Sequence, residues 1–142
     1  MDIKELRVGN IVRLKDHFVG GNAMVTGIMK DKLTAVNSVG TNIDTINIMY
    51  LEPIPITEKI LLKIGFKKGR NDYFNYRDYN DELSIRFIPN YTFIEYANLY
   101  FNPEDVTETN YCSSLECPNT LHLHTLQNIW YLLTGKNLEV EL

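Results

Sequence analysis

Two cysteines and two histidines are the side chains of this chain whose types and spacing could bind a metal ion. Cys112, Cys117, His122 and His124 form a C-x4-C-x4-H-x-H pattern, and zinc prefers these residue types. The spacing is unfavourable, because two residues i and i+2 of a helix point about 200° apart. The histidines would converge only if the helix began near Thr125. We therefore expect no metal ion and no other cofactor.

The same four residues could also form a nucleophilic pair. A histidine near the start of a helix could lower the pKa of the Cys117 thiol and make it more reactive. No third side chain that would orient the histidine lies at a recognisable spacing, and no local signature of a cysteine enzyme is present. We therefore predict that the protein is not an enzyme and that both thiols are free, as in a reducing compartment.

One short stretch of the chain concentrates basic side chains next to aromatic ones. A phosphate backbone can be held by such basic residues while its bases stack on the aromatic rings. The alternative is a solvated helix face followed by an ordinary strand, and the formal net charge of −4 for the whole chain favours that alternative. The five basic residues are Lys59, Lys63, Lys67, Lys68 and Arg70.

Tyrosine is unusually abundant in the second half of the chain. Seven of the nine tyrosines lie within residues 71–111. Alternate aromatic residues of a strand belong to the core, whereas exposed tyrosines are enriched at protein–protein contacts. We take Tyr96, Tyr100 and Tyr111 as candidate interface residues, with the alternative that the C-terminal helix covers them.

Short β-strands separated by glycine turns are predicted for the N-terminal third. Apolar patterning indicates strands at 11–14, 24–29, 33–36 and 43–49. Strands at this close, regular spacing are typical of a small barrel or a strongly bent sheet. Residues 1–52 are therefore expected to form an SH3-like β-barrel or a bent sheet.

The rest of the chain is predicted to be an α+β unit, residues 53–142. Pro53 and Pro55 indicate an extended connector, because proline cannot occupy a central strand. Thr57 and Gly65 are good helix start and stop residues, which predicts a short helix between them. The remaining predicted elements are strands at 73–76, 83–88 and 91–100, a loop or lid at 102–119, a helix at about 120–134 and a strand at 138–142.

These elements together predict an α+β fold in which the C-terminal helix covers an antiparallel sheet. The helix places apolar residues on one face at i, i+3, i+4 and i+7. We expect that face to be buried against the sheet together with the apolar residues of the short helix. The first group is Leu126, Ile129, Trp130 and Leu133, and the second is Leu61, Ile64 and Phe66.

Composition limits the classes of protein to which the chain can belong. It has 142 residues, of which 44% are hydrophobic and 23% charged, which suits a globular fold. No apolar stretch of about 18 residues is present and the start does not resemble a signal peptide, so we expect a cytoplasmic protein with no membrane contact. Residues 1–70 carry a net charge of +4 and residues 71–142 a net charge of −8, which indicates two different surfaces.

Three motifs occur in order along the chain. They are ELRVGNIV at 5–12, LEPIPITE followed by LLKIGF within 51–66, and LHTLQNIWYLLTGK at 123–136. With these motifs the chain resembles a group of short uncharacterised proteins of gut Bacteroidota, often found in prophages or mobile elements. The chain departs from the group at Thr125 and Trp130, and the two cysteines are not part of its pattern. The resemblance implies a cytoplasmic protein associated with mobile elements and implies no activity.

We therefore expect a non-enzymatic protein-binding or adaptor module, an accessory protein of a phage or mobile element. The missing catalytic constellation, the tyrosines and the resemblance support this hypothesis. The alternative is a nucleic-acid-binding accessory protein that uses the N-terminal barrel and the basic segment between Lys59 and Arg70. A protein partner is thus expected, and nucleic acid is the second choice.

Overall fold

The computed structural model describes residues 1–15, 21–30, 32–78, 81–89, 91–102, 105–118 and 121–140. The side chains of residues 91, 98–102, 105–113 and 118 lie outside this description. The chain divides into two compact units. Unit 1 combines Met1–Pro55 with His122–Leu142, and unit 2 is Ile56–Leu121.

Unit 1 is built on a five-stranded antiparallel sheet. The strand order is β4-β3-β2-β1-β5. Asp2 caps a 3-10 helix at Ile3–Glu5 before the first strand, since its side chain accepts a hydrogen bond from the N–H of Lys4 at 3.0 Å. The strands are β1 (Ile11–Leu14), β2 (Gly21–Met29), β3 (Lys32–Asn37), β4 (Asn42–Asn47) and β5 (Leu51–Glu52).

Two β-bulges meet at one residue of β3, the strand between β4 and β2. One extra residue is inserted in β2 between Val25 and Gly27, and another in β4 opposite Thr34. Thr45 of β4 has a φ of 61° at this place. Bulges bend and twist the strands that contain them. The sheet nevertheless stays open, because β4 and β5 form its two edges, so the bent sheet is found and the closed barrel is not.

The long C-terminal helix belongs to unit 1, whereas the sequence analysis assigned it to the second unit. This helix, α2 (Leu123–Thr134), ends at Gly135 in the left-handed conformation, close to the predicted end at about 134. Its Gln127 side chain accepts a hydrogen bond from the backbone N–H of Ile11 at 2.9 Å and donates one to the carbonyl of Gly9 at 3.2 Å. Asn128 accepts one from Asn10 at 3.0 Å. These bonds join α2 to the start of β1.

The buried apolar residues of unit 1 come from one face of its sheet and from α2. Trp130 is 1% exposed and Leu126 is fully buried, whereas Ile129 and Leu133 are half-buried. The predicted terminal strand is not found, because residues 137–140 have no strand structure and 141–142 lie outside the described part. The cluster of the sheet is Leu6, Val12, Leu14, Ala23, Val25, Leu33, Ala35, Ile46 and Leu51.

Unit 2 is a second five-stranded antiparallel sheet with one short helix. The strand order is β10-β9-β8-β7-β6. Thr57 caps the helix α1 (Glu58–Lys63), since its hydroxyl accepts a hydrogen bond from the N–H of Ile60 at 3.3 Å. The strands are β6 (Lys67–Lys68), β7 (Tyr73–Asp78), β8 (Asp81–Ile88), β9 (Tyr91–Asn102) and β10 (Asp105–Pro118).

Residues 102–119 were predicted to form a loop or lid, but most of them form the strand β10. It pairs with β9 along its length, with register shifts between Asp105 and Glu108 and between Tyr111 and Ser113. Its residues are polar, which suggested a loop, but an edge strand needs no continuous apolar face. Threonine, valine and tyrosine within it also favour strand structure.

Apolar residues of α1 and of the turn that follows it are buried in unit 2. Leu61, Ile64 and Phe66 are buried, and Phe66 packs on Tyr76 with 5.2 Å between ring centroids. The α+β class and the antiparallel sheets are confirmed. In the described part of the chain, no helix is long and apolar enough to cross a membrane.

Candidate protein interface

Strand register assigns the residues of the unit 2 sheet to two faces. Residues that pair across neighbouring strands lie on the same face, and successive residues alternate. One face is apolar and buried, with Phe74 paired to Ile85 and Ile85 to Ile94. We call the opposite face the outer face. Its described residues are Lys67, Tyr73, Asn75, Arg77, Glu82, Ser84, Arg86, Ile88, Phe93, Glu95, Ala97, Ser114 and Glu116.

One row of the outer face combines aromatic and charged side chains. Tyr73, Arg86, Phe93 and Glu116 pair in that order across β7, β8, β9 and β10. The Arg86 guanidinium carbon lies 5.5 Å from the centroid of the Tyr73 ring, a cation–π distance. Tyr73, Arg86 and Phe93 are half-buried and Glu116 is exposed. Aromatic residues and arginine are the types that concentrate binding energy in protein interfaces.

The charges of the outer face are separated across the sheet. The strands β6, β7 and β8 carry Lys67, Arg77 and Arg86 with the single acidic residue Glu82. The strands β9 and β10 carry Glu95 and Glu116 and, among the described outer-face side chains, no basic residue. The first three strands therefore have a net charge of +2 on this face, and the other two have −2. The described outer face as a whole has no net charge.

The five basic residues that are candidates for nucleic-acid binding are all exposed, but they do not share one surface. Lys59 and Lys63 lie on α1, and Lys67 and Lys68 are adjacent in β6, so these two lie on opposite faces of the sheet. Only Lys67 is on the outer face. Arg70 follows in a 3-10 helix.

The charge of Lys68 is partly compensated within unit 2. Its ammonium group lies 3.0 Å from a carboxylate oxygen of Glu58 and 5.6 Å from the centroid of the Phe74 ring. The hydrogen bond and the charge of Glu58 raise the pKa of Lys68. A lysine whose charge is paired in this way attracts a phosphate group less strongly than an unpaired lysine does.

The three candidate tyrosines have different positions in unit 2. Tyr96 is 6% exposed and its hydroxyl donates a hydrogen bond to Asp81 at 2.6 Å, so its prediction as an exposed interface residue was wrong. Tyr96 lies on the buried face because it pairs with Leu83. The side chains of Tyr100 and Tyr111 lie outside the described part, although register places their backbones opposite Glu108 and Ala97.

The cysteines and histidines of the predicted metal pattern lie in separate units. Cys117 is buried in β10 of unit 2, and burial raises the pKa of its thiol. His122 and His124 belong to unit 1, and the side chain of Cys112 lies outside the described part. Among the described residues, no three or more histidine, cysteine or acidic side chains are grouped so as to hold a metal ion.

A pair of stacked histidines lies at the start of α2. The rings of His122 and His124 are 5.6 Å apart and 9° from parallel. His124 is 1% exposed, its Nδ1 has no hydrogen-bond partner, and its Nε2 lies 3.8 Å from a carboxylate oxygen of Glu5. Burial and the neighbouring His122 lower the pKa of His124, and Glu5 opposes them. The sequence could not indicate this burial, since the histidine follows a polar turn.

The bulged end of the unit 1 sheet encloses a small cavity. Its volume is about 250 Å³. It is lined by the apolar residues Ile28, Met29 and Leu33 and by Gly27, Lys32, Thr34 and Thr45. The wall is mainly aliphatic, so this cavity offers little that would orient a polar substrate.

Comparisons with family models, curated proteins and solved structures find no match to this chain. The candidate site therefore stands on geometry alone, and that geometry is the aromatic and charged outer face of unit 2.

Proposed function

We propose that the protein is a non-enzymatic protein-binding module and that the outer face of unit 2 is its docking surface. The observation that carries this proposal is the row of Tyr73, Arg86 and Phe93, in which an arginine lies between two half-buried aromatic rings. Such a row supplies a large contact area at a small cost in side-chain entropy.

The balanced charge of this face favours a protein over a nucleic acid. A surface that binds phosphates needs an excess of basic groups, because affinity comes mainly from neutralised phosphates. The three basic residues of this face are offset by three acidic ones: Lys67, Arg77 and Arg86 by Glu82, Glu95 and Glu116. The other basic residues of the predicted segment lie elsewhere in unit 2, so the nucleic-acid alternative has less support.

The properties of the thiol also favour binding over catalysis. A nucleophilic cysteine needs a lowered pKa and access to substrate. Cys117 is buried and its pKa is raised by that burial. The association with a phage or mobile element and the cytoplasmic location remain predictions from the sequence.

Site-specific photo-crosslinking tests the proposed function. Phe93 is replaced by benzoylphenylalanine, and the protein is irradiated in its native cells. We expect a discrete adduct with a protein, one that weakens when Arg86→Glu is added. The matched control carries the crosslinker at Val39 of unit 1, which is 77% exposed.

Two results would contradict the proposed function. One is the absence of any adduct at position 93, and the other is the same set of adducts at positions 93 and 39. An adduct at position 93 that nuclease removes would support the nucleic-acid alternative instead.

A further inference from the structure

The separation of charge across the outer face makes that face complementary to itself. The strands β6, β7 and β8 have a net charge of +2 there, and β9 and β10 have −2, counting the described side chains. A surface with one basic and one acidic half matches a copy of itself that is turned by 180°. We propose that two copies of this chain associate through their outer faces about a twofold axis. The inference rests on the proposed function and names its partner.

The axis that best suits the register runs parallel to the strands, between β8 and β9. A rotation by 180° about this line places β8 of one copy over β9 of the other and β7 over β10. Each row of side chains then lies opposite the same row of the second copy. Arg86 then lies opposite Phe93 of the second copy, and Tyr73 lies opposite Glu116 of that copy. The packed sheets would be separated by about 10 Å, which suits side chains of this length.

Each of these contacts is chemically favourable and occurs twice. Arg86 contacts the Phe93 ring of the second copy. Glu116 of that copy pairs with Phe93, so its carboxylate lies next to the same guanidinium. The tyrosine hydroxyl of position 73 can donate a hydrogen bond to Glu116 of the second copy, and Ser84 can donate one to Glu95. The row that contains Glu82 places it opposite Ala97, so no two like charges among the described side chains face each other directly.

The size of the contact predicts a weak dimer. Four strands at about 4.8 Å spacing and three rows of side chains form only a small patch. A buried total below about 1,200 Å² is typical of transient complexes. We therefore expect association in the micromolar range that is weakened by salt, since the charges at the rim of the contact are screened.

A charge-exchange experiment on the full chain tests this pairing. Sedimentation equilibrium is measured for wild type, for Arg86→Glu, for Glu116→Arg and for an equal mixture of the two variants. In a homodimer of either variant, positions 86 and 116 of opposite copies carry like charges. Self-association of each variant should therefore be weakened at least about tenfold. In the mixture, both halves of the contact are complementary again, and the dissociation constant should return to within about threefold of the wild-type value.

Matched reversals in unit 1 control for the change in net charge. Lys4→Glu and Glu139→Arg alter exposed residues of that unit and should leave self-association unchanged. Circular dichroism spectra check that every variant is folded. Glu95→Arg is a second acidic-half variant, which keeps the test decisive if Glu116→Arg does not fold.

Three results would overturn the inference. They are a wild-type chain that is monomeric at every concentration, a dimer unaffected by either reversal, and a mixture that does not recover. A monomeric chain that still crosslinks at position 93 to a different protein would remove the second copy as the partner and leave the proposed function intact. A chain that forms no adduct at position 93 with any protein would remove both.

Discussion

The side-chain oxygen of Gln127 lies 2.9 Å from the backbone nitrogen of Ile11, from which it accepts a hydrogen bond. The two residues are 116 positions apart in the chain. Gln127 is buried, and its amide group also donates to the carbonyl of Gly9. A single polar side chain of α2 thus satisfies two backbone groups beside β1, the buried N–H of Ile11 and the partly buried carbonyl of Gly9.

Replacement of Gln127 by methionine tests how much this pairing stabilises unit 1. Methionine has a similar length, so packing is largely kept while the N–H of Ile11 and the carbonyl of Gly9 lose their partners. We expect the free energy of unfolding to fall by about 2–3 kcal/mol in chemical denaturation. Asn128→Ala is the control, because its bonds are partly exposed and should matter by about 1 kcal/mol. Equal small losses in both variants would contradict this account.

Trp130 is the largest fully buried side chain of the described residues. Trp130→Ala should lower the free energy of unfolding by about 3–5 kcal/mol, because it removes buried apolar area and leaves a cavity. Leu132→Ala on the same helix should change it by less than about 0.5 kcal/mol, since Leu132 is 81% exposed. A loss below about 1 kcal/mol for Trp130→Ala would show that the packing of α2 is not as described.

His124 should make the stability of unit 1 depend on pH. Burial, His122 and the amino group of Met1 lower the pKa of His124 below its ordinary 6.5, while Glu5 raises it. When the pKa is lower in the folded state, the unfolded chain takes up the proton first as pH falls. Stability is therefore highest above about pH 6.5 and decreases as pH falls towards the lowered pKa.

Denaturation at a series of pH values from about 8 to about 5 measures this dependence. His124→Leu should flatten the curve in the range below about pH 6.5. His122→Asn should flatten it less, because His122 is only half-buried, although burial also lowers its pKa. An unchanged curve in His124→Leu would mean that the loss of stability arises from other groups.

Cys117 should react slowly with thiol reagents in the folded protein. Burial raises the pKa of its thiol and limits the approach of the reagent. In a Cys112→Ser background only the Cys117 thiol remains, and Ellman's reagent should label it at least about tenfold more slowly in buffer than in denaturant. Rapid labelling of the folded chain would instead indicate an accessible thiolate and would reopen the hypothesis of a cysteine enzyme.

Thr45 is a β-branched residue with a positive φ of 61°. Side chains of this kind strain the backbone there, whereas glycine adopts it without cost. Thr45→Gly should therefore raise the free energy of unfolding by about 1 kcal/mol, a rare stabilising change to glycine. Thr41→Gly, at a nearby residue with negative φ, should leave stability unchanged or lower it. A loss of stability in Thr45→Gly would show that the bulge depends on the threonine side chain.

The elements with strong local signals could be predicted from the sequence. A strand was predicted at 83–88, where β8 lies, and Thr57 marked the start of α1. These features depend on residues within one or two turns of each other, so a local pattern is enough.

Features that depend on distant pairing could not be predicted in this way. The role of Gln127 depends on a partner at position 11, and no local pattern reveals which unit a helix will join. Tyr96 is on the buried face because the register pairs it with Leu83 of the next strand, and its hydroxyl then donates to Asp81. The row of Tyr73, Arg86 and Phe93 can likewise be recognised only when the register of β7, β8 and β9 is known. A shift of one residue would move Arg86 to the other face.

Unit 1 is interrupted in the chain by the whole of unit 2, because Met1–Pro55 and His122–Leu142 belong together. During synthesis on the ribosome, all of residues 56–121 emerge before α2 does. During this time the sheet of unit 1 lacks α2, and the N–H of Ile11 lacks its partner Gln127. The sheet of unit 2 can already form. Unit 2 is thus expected to fold first, the reverse of the usual N-terminal-first order of domains.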